Sequence, residues 1–175
     1  MSDAIMSDVI IRKVKEVNGW LGNMSAHPVK HEGKWWRTAE ALFQALRFPM
    51  DAVNDEGMNI REIIYTQKAP MAAKMKAKGS KVKMNITPMG DEDLKNMRMV
   101  LRLKFKWNCN PLEKDLLATG DRFIVEDVSN RPPSDSGRFW GAKRLPDGTW
   151  EGTNMLGQLL MELRTEIRNR PAVQK

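Results

Sequence analysis

The chain has 175 residues, 41% of them hydrophobic and 29% charged, which fits one ordinary globular domain spanning residues 1–175. A single cysteine and two histidines exclude an internal disulfide and the zinc sites that are built from cysteine pairs or Cys/His quartets. The formal charge of +7 favours acidic partners such as phosphates or nucleic acid. No apolar run reaches the roughly 18 residues of a membrane span, and the amino terminus lacks the features of a signal peptide, so we expect a cytoplasmic protein without membrane contact.

Short strands are predicted first. The apolar run Val9–Ile11 predicts a strand, and residues 28–36 predict a hairpin that turns at Glu32-Gly33. Thr38 is suited to cap a helix over residues 39–48, because its hydroxyl can accept a hydrogen bond from a free amide of the first turn.

Three further helices follow in the middle of the chain. One is predicted over residues 59–66, and a second over residues 70–78, with Gly79 as a left-handed stop. The longest is predicted over residues 91–107. It is indicated by apolar residues at helical spacing: Leu94, Met97, Val100, Leu101 and Phe105.

The last third of the chain mixes element types. It predicts a short helix over residues 112–118, a strand over 122–128, an irregular loop over 132–137 and a final helix over 154–169. Helices dominate and a few short strands accompany them. The predicted fold class is therefore α+β, mainly helical.

A lysine-rich segment lies between residues 68 and 83, with six lysines and no acidic residue. Charge runs of this kind usually face water on a helix or loop. The segment could equally contact phosphates of a bound partner. Both interpretations remain open from the sequence.

One polar line marks the otherwise apolar helix over residues 39–48. Glu40, Gln44 and Arg47 lie at positions i, i+4 and i+7, so they share one face. Burying a carboxylate costs several kcal/mol unless a partner compensates it, so the line either faces water as a weak ion pair or enters a polar site.

A second candidate site joins Trp140–Lys143 to Gly152–Gly157. In this region a glycine-containing loop leads into a helix, and free amides at a helix start bind anions. The alternative interpretation makes Asn154 a helix cap, Gly157 a close-packing position and Trp140 a core residue.

Several ordered motifs together resemble the NADAR family, also called YbiA-like. They cover roughly residues 20–168 and comprise Leu21–Ser25, Thr38–Phe48, Ala69–Lys74, Thr119–Asp121, Ile124–Glu126, Phe139–Lys143 and Gly152–Arg164. The resemblance implies a single, mainly helical α+β domain that cleaves N-glycosidic bonds of nucleotide-like molecules. Relatives act on phosphorylated intermediates of riboflavin biosynthesis or remove ADP-ribose from modified guanine.

The resemblance also implies roles for particular side chains. Glu40 matches the family's glutamate and would stabilise positive charge on the ribose or activate water. Lys74 would be the second catalytic residue, through a Schiff base, which requires a desolvated amine; Lys143 is an alternative. The residues implied to bind substrate are Asn23, Gln44, Arg47, Trp140, Lys143 and Asn154. No metal or other cofactor is implied.

The chain departs from the family pattern at two informative positions. Arg47 stands where much of the family has lysine, and Gly137 stands where many members have aspartate. We therefore keep three hypotheses. The first is an N-glycosidase acting on a ribosylated or ADP-ribosylated nucleobase, either as a small molecule or within nucleic acid. The second is a non-catalytic protein that binds nucleotides, ADP-ribose or nucleic acid, and the third is a scaffold that has lost activity.

Overall fold

A computed structural model describes residues 7–171 of the chain. The chain forms two compact units. One unit comprises residues 23–108, and the other combines the chain up to Gly22 with the chain from Cys109 onward. Within residues 7–171 no helix is both long and apolar enough to cross a membrane. The prediction of one domain over residues 1–175 stays a prediction.

Seven α-helices and six short strands occur within the described residues. In chain order they are β1 (Val9–Ile11), β2 (Val29–His31), β3 (Lys34–Trp36), α1 (Ala39–Ala45), α2 (Ile60–Tyr65), α3 (Pro70–Gly79), α4 (Asp91–Trp107), α5 (Cys109–Ala118), β4 (Ile124–Glu126), α6 (Asp135–Trp140), β5 (Lys143–Arg144), β6 (Trp150–Glu151) and α7 (Met155–Arg168). The fold class is α+β and mainly helical, as predicted.

The unit of residues 23–108 is a helical cluster with one hairpin. Strands β2 and β3 pair antiparallel, and Glu32 and Gly33 adopt positive φ angles of 47° and 78° in the turn between them, so the predicted hairpin is confirmed. Helix α1 packs against α2, α3 and α4, and α4 packs against β2. The buried core draws on the whole unit: Phe43, Phe48, Ile60, Ile64, Ala73, Ala77, Leu101 and Phe105.

The helix ends of this unit follow local chemistry. Thr38 caps α1 by accepting a hydrogen bond from the Ala41 amide at 3.2 Å, as predicted. Helix α1 ends at Ala45, earlier than predicted, and the Phe48 amide then bonds back three residues to the Ala45 carbonyl. The predicted left-handed stop at Gly79 is wrong, because this glycine is the last residue of α3 and has no positive φ angle.

The second unit is built around two parallel strands. Strand β1 pairs with β4, with Val9 opposite Ile124 and Ile11 opposite Glu126. Helix α7 packs against β4, α5 and α6. Most of the buried apolar side chains come from β1, α5, β4 and α7: Val9, Ile11, Leu112, Leu116, Ile124, Val125, Leu156, Leu159, Leu160 and Leu163.

One loop prediction in this unit is wrong. The segment predicted as irregular over residues 132–137 contains the start of α6, which begins at Asp135. The Ser134 hydroxyl caps it by accepting a hydrogen bond from the Gly137 amide at 3.0 Å. A serine cap can therefore start a helix within a sequence whose composition is typical of a turn.

Candidate active site

The polar line is buried, with Glu40 and Gln44 on α1 and Arg47 in the turn that follows the helix. Glu40 has 6% of its surface exposed, Gln44 has 4% and Arg47 has 8%. Of the two alternatives left by the sequence, an exposed ion pair is therefore excluded. The side chains have to satisfy their charges and hydrogen bonds inside the unit of residues 23–108.

A chain of hydrogen bonds connects the line to α4. The Gln44 amide nitrogen donates to the Glu40 carboxylate at 2.9 Å, and the Gln44 carbonyl oxygen accepts from the Arg47 guanidinium at 3.2 Å. Arg47 in turn donates to Asp93 on α4. Because Arg47 is only a donor and the Glu40 carboxylate only an acceptor, the orientation of the Gln44 amide between them is determined. The position of Glu40 therefore depends on Gln44 and Arg47 and, through Arg47, on Asp93 of helix α4.

Arg47 and Asp93 form a two-pronged ion pair. The guanidinium donates through Nε and Nη2 to the two carboxylate oxygens at 2.8 and 2.7 Å, and Asp93 is fully buried. The Met89 amide donates to the same carboxylate at 2.8 Å. A lysine would offer one point charge here, whereas arginine matches both oxygens of the carboxylate. The departure from the family pattern at Arg47 thus comes with a specific partner.

Asn23 contacts the first turn of helix α1 through its backbone. Its backbone carbonyl accepts a hydrogen bond from the Glu40 amide at 3.0 Å, and its side-chain nitrogen lies 3.0 Å from the sulfur of Met97 on α4. Its side-chain oxygen is buried and has no hydrogen-bond partner among the described residues. A buried acceptor without a partner is costly, and it indicates a place for a donor from water or from a bound molecule.

Lys104 is a buried charged residue that was not predicted from the sequence as a candidate for the site. It lies on α4, is fully buried, and its burial lowers the pKa of the ammonium group to about 7. The pKa of His27 is also lowered, first by burial and then by the positive charge of Lys104, so the two groups are close enough to interact. His27 in turn lies within 2.9 Å of the Ser25 hydroxyl. The short segment from Asn23 to His27 thus borders both Glu40 and Lys104.

The spacing on α4 carried a signal for this lysine. Asp93, Met97 and Lys104 lie at i, i+4 and i+11, which places them on one face of the helix together with the apolar Val100. Two charged residues within an apolar stripe are unusual, since buried charges require partners. From the sequence, this helix is predicted only from its apolar packing positions.

Lys74 has a different environment from the buried lysine. It lies on α3, and it is solvent-exposed. A Schiff-base lysine needs a desolvated amine, and the position of Lys74 does not supply desolvation. The assignment of Lys74 as a catalytic residue stays a prediction, and Lys104 meets the physical requirement better.

Three predicted binding residues lie in the other unit. Trp140 ends α6, is half-buried, and packs edge-on against Phe139 with ring centroids 5.0 Å apart. Lys143 is exposed in β5. Their roles in binding substrate stay predictions.

Asn154, the third of these residues, organises the backbone of its own unit. Its φ of 53° is left-handed, and its side chain donates to the Ile124 carbonyl at 2.8 Å and accepts from the Glu126 amide at 3.0 Å. It therefore joins the start of α7 to β4 rather than capping the helix through its side chain. Gly157 permits this approach, because a Cβ there would lie 2.1 Å from the Ile124 carbonyl oxygen.

Comparison with known proteins identifies the family to which the chain belongs. The NADAR domain family matches residues 11–168. The chain is 35% identical over 166 residues to the N-glycosidase YbiA of Escherichia coli (strain K12), with 93% of this chain and 91% of that protein covered. It is 31% identical over 160 residues to an N-glycosidase of Nostoc punctiforme, with 90% of each chain covered.

The fold agrees with a solved structure. The NMR structure of E. coli YbiA superposes with a TM-score of 0.71 at 29% sequence identity, and the match covers 98% of this chain and 94% of that chain. The family match extends over most of the chain, and both of these relatives are named N-glycosidases. The chain described here belongs to the NADAR family and is an N-glycosyl hydrolase of the NADAR type.

Proposed function

We propose that the chain hydrolyses the N-glycosidic bond of a ribosylated or ADP-ribosylated nucleobase, with Glu40 as the key carboxylate. The observation that carries this proposal is the buried, hydrogen-bonded position of Glu40. Buried carboxylates are rare unless they have partners or a function. Gln44 supplies the partner, and the adjoining Asn23 oxygen supplies an acceptor that a sugar hydroxyl could satisfy.

The chemistry of bond cleavage suits a carboxylate in this setting. When the bond breaks, its electron pair moves to the base nitrogen and positive charge develops on the ribose ring. A desolvated carboxylate beside the anomeric carbon stabilises that charge strongly, because solvent screening is weak there. The same carboxylate can accept a proton from the attacking water, whose oxygen bonds to the anomeric carbon. The proton that the carboxylate takes from water passes to the departing base nitrogen, and the products are the free base and the free sugar, or ADP-ribose where the base was ADP-ribosylated.

The substitution Glu40→Gln tests this role directly. It keeps the shape of the side chain but removes its charge, and we expect turnover to fall by about 10²–10⁴-fold with an unchanged circular dichroism spectrum. The measurement is release of base and sugar from ADP-ribosylated guanosine and from phosphoribosylated riboflavin precursors, followed by chromatography. Glu62→Gln on the exposed side of α2 is the matched control. Equal turnover by Glu40→Gln and the parent would remove Glu40 from the mechanism.

For a covalent route we assign the amine to Lys104. With its pKa lowered to about 7, Lys104 is half neutral at that pH, and only the neutral amine is a nucleophile. In this route the ribose ring opens, and the amine attacks the anomeric carbon and displaces the base. One proton of the amine goes to the ring oxygen as the ring opens and the other goes to the departing base nitrogen, which leaves a carbon–nitrogen double bond to Lys104. Water then hydrolyses this bond and restores the amine.

Reductive trapping distinguishes the covalent route from direct attack by water. Sodium borohydride added during turnover should convert the imine to a stable secondary amine, which peptide mass spectrometry would locate on Lys104. Lys104→Ala should lose both the adduct and most of the turnover, whereas Lys74→Ala should keep both. An adduct on Lys74, or none on any lysine while Lys104→Ala remains active, would contradict the assignment.

A further inference from the structure

Two tryptophans form an exposed pair at the end of the hairpin. Trp35 on β3 has 47% of its surface exposed and Trp107 at the end of α4 has 41%. Their ring centroids are 5.2 Å apart, with the planes inclined at 65°. Exposed clusters of large apolar side chains mark interaction surfaces more often than isolated ones do.

Hydrogen bonds hold the Trp107 end of this pair in place. The Trp107 indole nitrogen donates to the Lys30 carbonyl at 3.1 Å, and the Asn108 side chain donates to the Pro28 carbonyl at 2.9 Å. Hydrogen bonds thus join the end of α4 to β2 and to the residue that precedes it. The rings are presented at the surface by the fold itself, which lowers the entropic cost of binding a ligand there.

Lysine side chains accompany the two rings. Lys30 lies opposite Trp35 in the hairpin register, and its Nζ is 5.8 Å from the centroid of each tryptophan. The Nζ of Lys106 is 5.5 Å from the Trp107 ring. The nearest acidic side chain in the hairpin, Glu32, lies at the turn within 3.7 Å of His31. We call the set of Trp35, Trp107, Lys30 and Lys106 the tryptophan surface.

We propose that the tryptophan surface binds single-stranded nucleic acid. Bases stack on exposed aromatic rings and the backbone phosphates pair with nearby ammonium groups, which is the combination present here. The net charge of +7 attracts the same partner over longer distances. A duplex buries the faces of its bases and would use only the charges. The lysine-rich segment between residues 68 and 83 lacks aromatic residues and does not offer this combination.

This inference rests only on the tryptophan surface and does not depend on the reaction assigned to Glu40. If both hold, the surface would bring a nucleic acid strand that carries a modified base to the enzyme. Binding and turnover are measured separately, so failure of one leaves the other standing. Glu40→Gln should bind the strand as tightly as the parent.

Fluorescence anisotropy with a fluorescein-labelled thymidylate strand of about 12 nucleotides tests the proposal at low salt of about 50 mM. The Trp35→Ala/Trp107→Ala double variant should bind at least about tenfold more weakly, because each stacked base contributes on that scale. Its turnover of a small ribosylated substrate should equal that of the parent. Circular dichroism checks that the double variant is folded.

A charge variant keeps the test valid if the aromatic variant fails to fold. Lys30→Gln/Lys106→Gln should weaken binding and should reduce the slope of log Kd against log salt by roughly 1.4, since two phosphate contacts are lost. Lys74→Gln/Lys78→Gln on α3 removes the same charge and should change binding by less than about twofold. This pair of variants separates a defined surface from general charge attraction.

Several results would overturn the proposal. They are absence of binding to the strand at low salt, equal binding by the parent and the aromatic variant, and equal losses in the two lysine variants. Binding of a blunt duplex as tight as binding of the strand would also contradict stacking. A concentration-dependent dimer that Trp35→Ala/Trp107→Ala abolishes, without any strand binding, would make this face an interface between copies of the chain instead.

Discussion

The polar line on α1 and the lysine-rich helix α3 are adjacent in the fold and opposite in character. Helix α1 and the turn that follows it carry three polar side chains, all buried and joined by hydrogen bonds. Helix α3 carries Lys74, Lys76 and Lys78, all of them exposed. In the sequence, the α1 segment is distinguished by having few polar residues among apolar ones. The α3 segment is distinguished by its many lysines.

The difference shows which sequence signal is informative about chemistry. A charged residue within a long polar stretch can be hydrated, so it needs no partner inside the protein. When apolar residues cover most of a helix surface, the helix is buried, and a charged residue on that helix needs a partner in the interior. Glu40 and Lys104 meet the second condition, and Lys74 meets the first.

The largest stability effect is expected from breaking the ion pair that anchors the buried line. Asp93→Ala leaves the Arg47 guanidinium buried without its carboxylate, and we expect a loss of about 3–5 kcal/mol in the free energy of unfolding. Urea denaturation followed by circular dichroism measures it. The double substitution Asp93→Leu/Arg47→Met removes both charges and should restore much of the loss. A loss below about 1 kcal/mol for Asp93→Ala would show that the pair is not buried in solution.

An intermediate effect is expected in the pH dependence of stability. In the unfolded chain Lys104 keeps its proton up to about pH 10.5, whereas in the folded chain it loses it near pH 7. Between these values the unfolded state binds more protons, so stability rises with pH and falls again as the pH drops toward 7. We expect a gain of about 2–3 kcal/mol between pH 7 and pH 9.

Lys104→Met provides the matched measurement for that pH effect. The variant lacks the Lys104 amine, so its stability should lack the rise that the parent shows between pH 7 and pH 9, and it should exceed the parent near pH 6. Lys78→Met on α3 removes an exposed lysine of the same size and should keep the rise. Parallel pH profiles of the parent and Lys104→Met would indicate that the amine is hydrated rather than buried.

The smallest effect is expected on α3. Lys74→Gln should change the free energy of unfolding by no more than about 0.5 kcal/mol, because exposed substitutions away from special features rarely do more. Turnover of the small substrate should change less than about twofold. If Lys74→Gln lost most of its turnover while it remained folded, the exposed Lys74 would be a catalytic residue, and the contrast drawn between α1 and α3 would be wrong.

Elements governed by local chemistry were predictable. Helix α4 begins and ends at the predicted residues, since its apolar spacing and the acidic residues of its first turn are local signals. The hairpin turn at Glu32-Gly33 and the Thr38 cap were found for the same reason. Helix α6 was missed, because its start depends on one serine cap in a segment of turn-like composition.

For the site, the sequence by itself determined that Glu40 and Gln44 share one face of α1, because helical spacing settles that within one element. It also determined the family, through motifs in a specific order. The tertiary structure alone decided that Asp93 pairs with Arg47, that Lys104 is buried, and that the Asn154 side chain bonds to β4. Those facts concern residues far apart in sequence, and desolvation and hydrogen-bond geometry arise only when the packing of separate elements brings such groups together.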